Sequence, residues 1–155
     1  MLQTIAIREG RPSDRPFLLE ILTLSALATY PALAQLGRLT LRETMEAFYD
    51  DYDHPEKRIW IAEADGAPAA ALWGIRSIHP ALEERELLVV AIATLPDHRG
   101  KGLAGALLAH ADQAARHEGL KALRLFANPA NEAAMELYQT QGFSPLTVEL
   151  RKALD

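Results

Sequence analysis

The sequence predicts an α/β (α+β) fold, with a mixed, mostly antiparallel central sheet and helices on both faces, as one domain over residues 1–155. Three observations predict it. Two strand-like runs, Arg58 to Ala64 and Ala69 to Ser77, are joined through Asp65-Gly66, a dipeptide that supplies the positive φ angles of a tight antiparallel hairpin. Leu87 to Leu95 is nearly all apolar, as a strand covered on both faces must be. A helical period and then Leu120 to Phe126 follow it, completing a strand-helix-strand unit. A chain of 155 residues suits one domain.

The remaining elements fall around these. Thr4 to Arg8 alternates apolar and polar and reads as a first strand, ended by Gly10, Arg11 and Pro12. Ser13 or Asp14 then caps a helix in which Phe17, Leu18, Ile21, Leu22, Ser25 and Ala28 recur at helical spacing, stopped at Tyr30-Pro31. Thr40 and Glu43 match a capping box ahead of the stripe Leu41, Met45, Phe48 and Tyr52, and the break Asp53-His54-Pro55 closes that second helix. After the buried strand, Leu103, Leu107, Leu108, Ala111 and Ala114 or Ala115 share one helix side, with Gly119 at the C-terminal cap. Asn128-Pro129 opens a last helix that Gly142 ends, and Phe143 to Leu150 supplies one or two closing strands.

Composition narrows the function. Hydrophobic residues make up 49% and charged residues 24%, which is enough for a real core and far from disorder. A net charge of −5 works against phosphate backbones and anionic lipid surfaces, so neither nucleic acid nor membrane is an expected partner. The absence of cysteine removes disulfides, thiolate metal sites and a cysteine nucleophile together. The N-terminus does not read as a signal peptide and no stretch is long and apolar enough to span a bilayer, so a cytoplasmic protein is expected. The five histidines, at 54, 79, 98, 110 and 117, show no metal-ligand grouping, and no metal is expected.

The segment with chemical content is Arg99-Gly100-Lys101-Gly102-Leu103-Ala104-Gly105, at the turn from the buried strand into its helix. Two glycines let the backbone turn sharply, and the first N–H groups of a helix have no intrahelical acceptors. With the helix dipole they form a site for an anion, and a pyrophosphate is the natural guest. The P-loop pattern fails, because no Gly-Lys-Ser/Thr stands at the required spacing. Gly100, Gly102 and Gly105 do satisfy G-x-G-x-x-G, but a nicotinamide dinucleotide site expects an acidic residue about 20 positions on. Phe126-Ala127-Asn128 stands there instead.

The stretch Pro96-Asp97-His98-Arg99-Gly100-Lys101-Gly102-Leu103-Ala104 resembles the Arg/Gln-x-x-Gly-x-Gly/Ala turn of the GNAT superfamily of N-acetyltransferases. A second hallmark of that family follows, because Asn131, the pair Leu137-Tyr138 and the pair Gly142-Phe143 reproduce its Asn…Leu-Tyr…Gly-Phe pattern. The resemblance is strong from Leu87 to Phe143, while the earlier half agrees in its order of elements. It implies acetyl-CoA as co-substrate, with the backbone of Ile92, Ala93 and Thr94 along the pantetheine arm. It implies Arg99, Gly100, Lys101, Gly102, Leu103, Ala104 and Gly105 around the pyrophosphate, Asn131 on the cofactor, and Tyr138 beside the sulfur as general acid.

A protonated amine must lose its proton before or during attack. In one branch of the family a glutamate eleven residues before the motif arginine takes that part, and Leu88 stands there in this chain. Glu86 faces the same side of a regular strand two residues away and is the candidate base, with Glu83, Glu84 and His79 as loop alternatives. The reading is acetyl transfer to a primary amine of a small molecule or peptide, by direct attack in a ternary complex. Its alternative is a catalytically silent acyl-CoA-binding module. Tyr30, Tyr49 and Trp73 serve equally as acceptor-pocket or core residues, and a sheet edge leaves room for a homodimer.

Overall fold

The computed structural model describes residues 3–154. Five strands, β1 (Ile5–Glu9), β2 (Lys57–Ala64), β3 (Ala67–Ile78), β4 (Arg85–Thr94) and β5 (Ala122–Leu125), form one sheet in sequence order. The first four run antiparallel, and β5 runs parallel to β4. The β2–β3 turn is the expected one, with Asp65 at φ 50° and Gly66 at φ 83°.

Helices α1 (Arg15–Thr29) and α2 (Arg38–Tyr52) cover one face, and α3 (Leu103–His117) with α4 (Glu132–Thr140) covers the other. Leu18, Ile21, Leu22, Met45 and Tyr49 bury against Ile61, Ala71, Trp73 and Ala91 on the first face. On the second, Leu103, Leu107, Leu108, Ala111 and Ala115 bury against Trp60, Leu72, Leu87 and Val89. Burying each such aliphatic side chain contributes about 1.5 to 3 kcal/mol, and the helical stripes exist to collect that energy. Among the described residues, no helix is long and apolar enough to cross a membrane.

Four local expectations are corrected. Asp14 does not cap α1; its carboxylate turns back to β1, accepting two hydrogen bonds from Arg8 at 2.8 Å and one from the Arg11 N–H at 2.7 Å. Charge-assisted bonds of this kind outweigh a neutral cap. The Thr40–Glu43 capping box is not formed, because α2 already begins at Arg38 with Gly37 as its cap and Thr40 lies inside the helix. Asn128 does not open α4. Its side chain closes a turn onto the Ala130 N–H at 2.9 Å and reaches the Thr29 carbonyl at 3.2 Å, and the helix starts after Asn131. Finally, no strand forms between Phe143 and Leu150, although that segment alternates apolar and polar residues.

Candidate active site

The site begins where β4 and β5 part. They are paired only from Glu86–Ala122 to Val89–Leu125, whereas β4 runs on to Thr94 with β3 alone beside it. The parting coincides with a bulge: Val89 pairs with Gly74 and Ala91 with Trp73, which leaves Val90 as an extra residue. A bulge bends the strand and raises its twist, so the β4 edge from Val90 to Thr94 is freed from the β5 side. Ile92 and Thr94 therefore turn their backbone groups to an open edge, which an amide-bearing chain can pair with as a strand would, whereas Ala93, expected beside them, faces β3 and pairs opposite Ala71, one rung from the bond that the Leu95 N–H donates to the Ala69 carbonyl.

Two of these groups have side-chain partners. The Ile92 N–H donates to Ser25 Oγ at 3.1 Å, and Arg99 Nε donates to the Thr94 carbonyl at 3.3 Å. Ser25 was legible only as a polar residue on an otherwise apolar helical stripe. Its contact with β4 is a tertiary fact that periodicity does not carry.

At the end of the slot the chain turns through Pro96–His98 into α3. Gly100 and Gly102 take φ values of 76° and 80°, the left-handed region that favours glycine. A Cβ built at either would meet no protein atom within 4 Å, so these glycines serve backbone conformation and the space beside them is open. Gly102 is the N-cap of α3 and offers no side-chain acceptor, which leaves the first-turn N–H groups of Leu103, Ala104 and Gly105 directed outward. The Leu103 side chain is buried, so only its backbone faces the turn. A Cβ at Gly105 would make only ordinary contacts with Gln141 and Leu137, so its place in the turn rests on the sequence pattern alone. Among the described residues neither Arg99 nor Lys101 is engaged in an ion pair. Uncapped donors, a positive dipole end and two available cations fit a pyrophosphate.

Tyr138 lies on α4, packed against the same α3-side cluster as Ile92, with its ring edge-on to Phe143 at 5.9 Å between centroids. Burial pushes its phenol above the usual value, so it stays protonated at neutral pH. Asn131 is the N-cap of α4, accepting from the Ala134 N–H at 3.2 Å, which leaves its amide N–H₂ free to donate.

Glu86 sits deep in the sheet, 2% exposed, with Arg124 Nε on its carboxylate at 2.7 Å. Of the aromatic residues weighed for the acceptor pocket, Trp73 and Tyr49 are core, 4.9 Å apart edge to face, while Tyr30 is exposed. The Trp73 indole N–H has no partner among the described residues. Among those residues there is also no cluster of three metal-ligating side chains.

Comparison with known proteins identifies the family. The model of the "Acetyltransferase (GNAT) family" matches residues 25–143. The chain belongs to the GNAT acetyltransferase family. A mouse protein named "Probable N-acetyltransferase family 8 member 5" is 28% identical over 123 residues, spanning 79% of this chain and 54% of that protein. The Bacillus subtilis "Uncharacterized N-acetyltransferase YycN" is 36% identical over 76 residues, spanning 49% of this chain and 47% of its own. The GNAT chain thus spans about half the length of these curated relatives.

Among solved structures, a putative acetyl transferase from Pyrococcus furiosus superposes with TM-score 0.77 at 17% identity, covering 97% of this chain and 100% of that one. The YycN crystal structure superposes with TM-score 0.76 at 22% identity, covering 97% and 99%. Both share the mixed, open GNAT sheet.

Proposed function

We propose that this GNAT protein transfers an acetyl group from acetyl-CoA to a primary amine of a small molecule or peptide, by direct attack in a ternary complex. The parting of β4 from β5 at Val90, leading straight into the left-handed Gly100–Gly102 turn, is the observation that carries this reading. It lines up a backbone slot with an anion cradle, the two features that an amide-bearing pantetheine chain ending in a pyrophosphate requires.

The bound thioester supplies an activated acyl group. Ile92 and Thr94 would pair with the arm at the freed edge, where a backbone donor can meet the carbonyl on which negative charge develops. The turn from Arg99 to Gly105 holds the pyrophosphate, and the free Asn131 amide donates to the cofactor. Tyr138, kept neutral by burial, gives its proton to the departing sulfur. Glu86 is the candidate proton acceptor from the amine. Arg124 Nε occupies its carboxylate at 2.7 Å, so this role requires that pair to open. That pair, with Leu88 at the family's glutamate position, favours the second reading, a module that binds acyl-CoA without turnover.

Thermal unfolding with acetyl-CoA, CoA or NAD tests the reading. Saturation at a hundredfold excess over Kd adds about 2.7 kcal/mol, or roughly 5 to 10 °C for this size. Acetyl-CoA and CoA raise Tm and NAD does not; a response to NAD alone, or to none, removes the assignment. CoA release across an amine panel then separates the enzyme from the silent binder.

A further inference from the structure

Arg124 is held differently from the other partly buried arginines. Arg8 meets Asp14 through both η nitrogens, and Arg58 and Arg76 meet Glu118 and Glu56 through Nε and Nη2 together. Arg124 meets Glu86 through Nε alone, at 2.7 Å, and among the described residues its Nη1 and Nη2 donate to nothing. A guanidinium present only to neutralise a carboxylate turns its fork to it, as the other three do. Glu86 is 2% exposed and the Arg124 side chain 21%, and neither η nitrogen is among the buried atoms that lack a partner, so the bonded Nε lies inside while solvent reaches the fork.

The place of this fork matters. Leu87, Val89, Leu123 and Leu125 point into the α3-side layer, so Glu86 and Arg124 stand on the opposite, α1 side of the sheet. Arg124 lies opposite Leu88, one rung before the last β4–β5 pair, Val89–Leu125. The freed edge of β4 begins at Val90, about 7 Å beyond Leu88, a gap that a long side chain and a small molecule close between them. The Phe126 ring, 5.4 Å from the guanidinium carbon and 62% exposed, steadies the fork and offers apolar surface beside it.

We propose that the acceptor is a free amino acid with an apolar side chain, its α-carboxylate held by the Arg124 fork and its ammonium by Glu86. This rests on the acetyl-transfer reading above and names the acceptor for that same site. A cation beside an anion matches a zwitterion, each charge against its opposite. The planar fork takes a carboxylate through two parallel bonds, whereas a phosphate dianion would bring a second negative charge to a guanidinium that Glu86 already partly neutralises. One carbon separates the carboxylate of an amino acid from its α-amine, so anchoring the first places the second. Drawing the guanidinium onto the substrate also opens the Arg124–Glu86 pair, the step that a base role for Glu86 requires. The products are an N-acetyl amino acid, free CoA thiol and one proton.

Leucine, methionine and phenylalanine, each beside its amide and its decarboxylated amine, are the probes, read by CoA release and by calorimetric titration of the CoA-loaded protein. The free acids should exceed both analogues at least tenfold in kcat/KM and in affinity. Arg124→Lys keeps a charge beside Glu86 but removes the fork; it should weaken the acids at least tenfold and the amides less than twofold. Glu86→Gln with Arg124→Gln leaves no buried charge and, read by titration alone, should lose the preference as well. Equal loss for acid and amide, a preference that outlives these substitutions, or a parent that favours the amines or amides or takes none of the probes overturns the proposal. If acetyl-CoA still raises Tm in that case, the acetyl-transfer reading stands without this acceptor; if it does not, both fall.

Discussion

Tyr138 and Glu86 occupy opposite electrostatic situations, and each makes a separate claim. Burial raises the Tyr138 phenol, so the acid form is present through neutral pH and is lost only as pH rises through a value above the ordinary 10 or so. Tyr138→Phe should lower kcat by roughly 100-fold, the usual range for a lost general acid, while the acetyl-CoA Kd moves less than twofold. Any alkaline fall of kcat due to this proton should vanish in the variant, and unchanged kinetics would take Tyr138 out of the mechanism. Glu86→Gln leaves the guanidinium of Arg124 without its charge partner. A fall in kcat that higher pH relieves marks Glu86 as the base; a pH-independent loss, with lowered Tm, marks it as a structural ion. Asp14 carries a third claim. Its partners Arg8 and the Arg11 N–H hold its carboxyl below the usual range, so its contribution is complete above about pH 5 and is lost as pH falls through its lowered folded value. Asp14→Asn should cost about 2 kcal/mol in urea titrations at pH 7, and progressively less as pH falls through that lowered folded value.

At the scale of elements, the glycine turn is the place where one methyl group matters most. Gly102→Ala forces a side chain into φ 80°, a strain of order 1 to 2 kcal/mol, and relief by turning the α3 N-terminus would misdirect its donors. Acetyl-CoA affinity should fall about tenfold in calorimetric titration while the sheet persists. This turn was legible from the sequence because glycine spacing and helix period are local signals. The hairpin at Asp65-Gly66 and the double coverage of β4 were legible for the same reason. The caps were less so: Asp14, Thr40 and Asn128 all have capping chemistry, but their partners, or the helix starts they would serve, are set by tertiary contacts such as Arg8 on β1 and Thr29 on α1. Ser25, the Val90 bulge and the Glu86–Arg124 pair depend on which strands become neighbours, and no local period reports that. The closing strand expected over Phe143 to Leu150 is absent, because alternating residues make a strand only where a neighbouring edge pairs with them.

For the whole molecule, two apolar layers share one thin sheet, so damage to one layer is felt by both. Leu107 is fully buried in the α3-side layer, and Leu107→Ala should cost about 3 kcal/mol in urea unfolding. That is a large share of the roughly 5 to 15 kcal/mol that holds such a domain together. The proposed cofactor slot draws on both layers: Ser25, on the α1 side, accepts from the Ile92 N–H, and Tyr138 packs into the α3-side layer. The slot owes its opening to a mismatch of one residue. If Val90 were deleted, Val89 and Ala91 could sit flush opposite Gly74 and Trp73, and β4 would lose the kink that turns it from β5. The ladder could then zip shut along its length. A change of a single codon's worth of chain would convert a binding fold into a sealed one, with every named site residue still present.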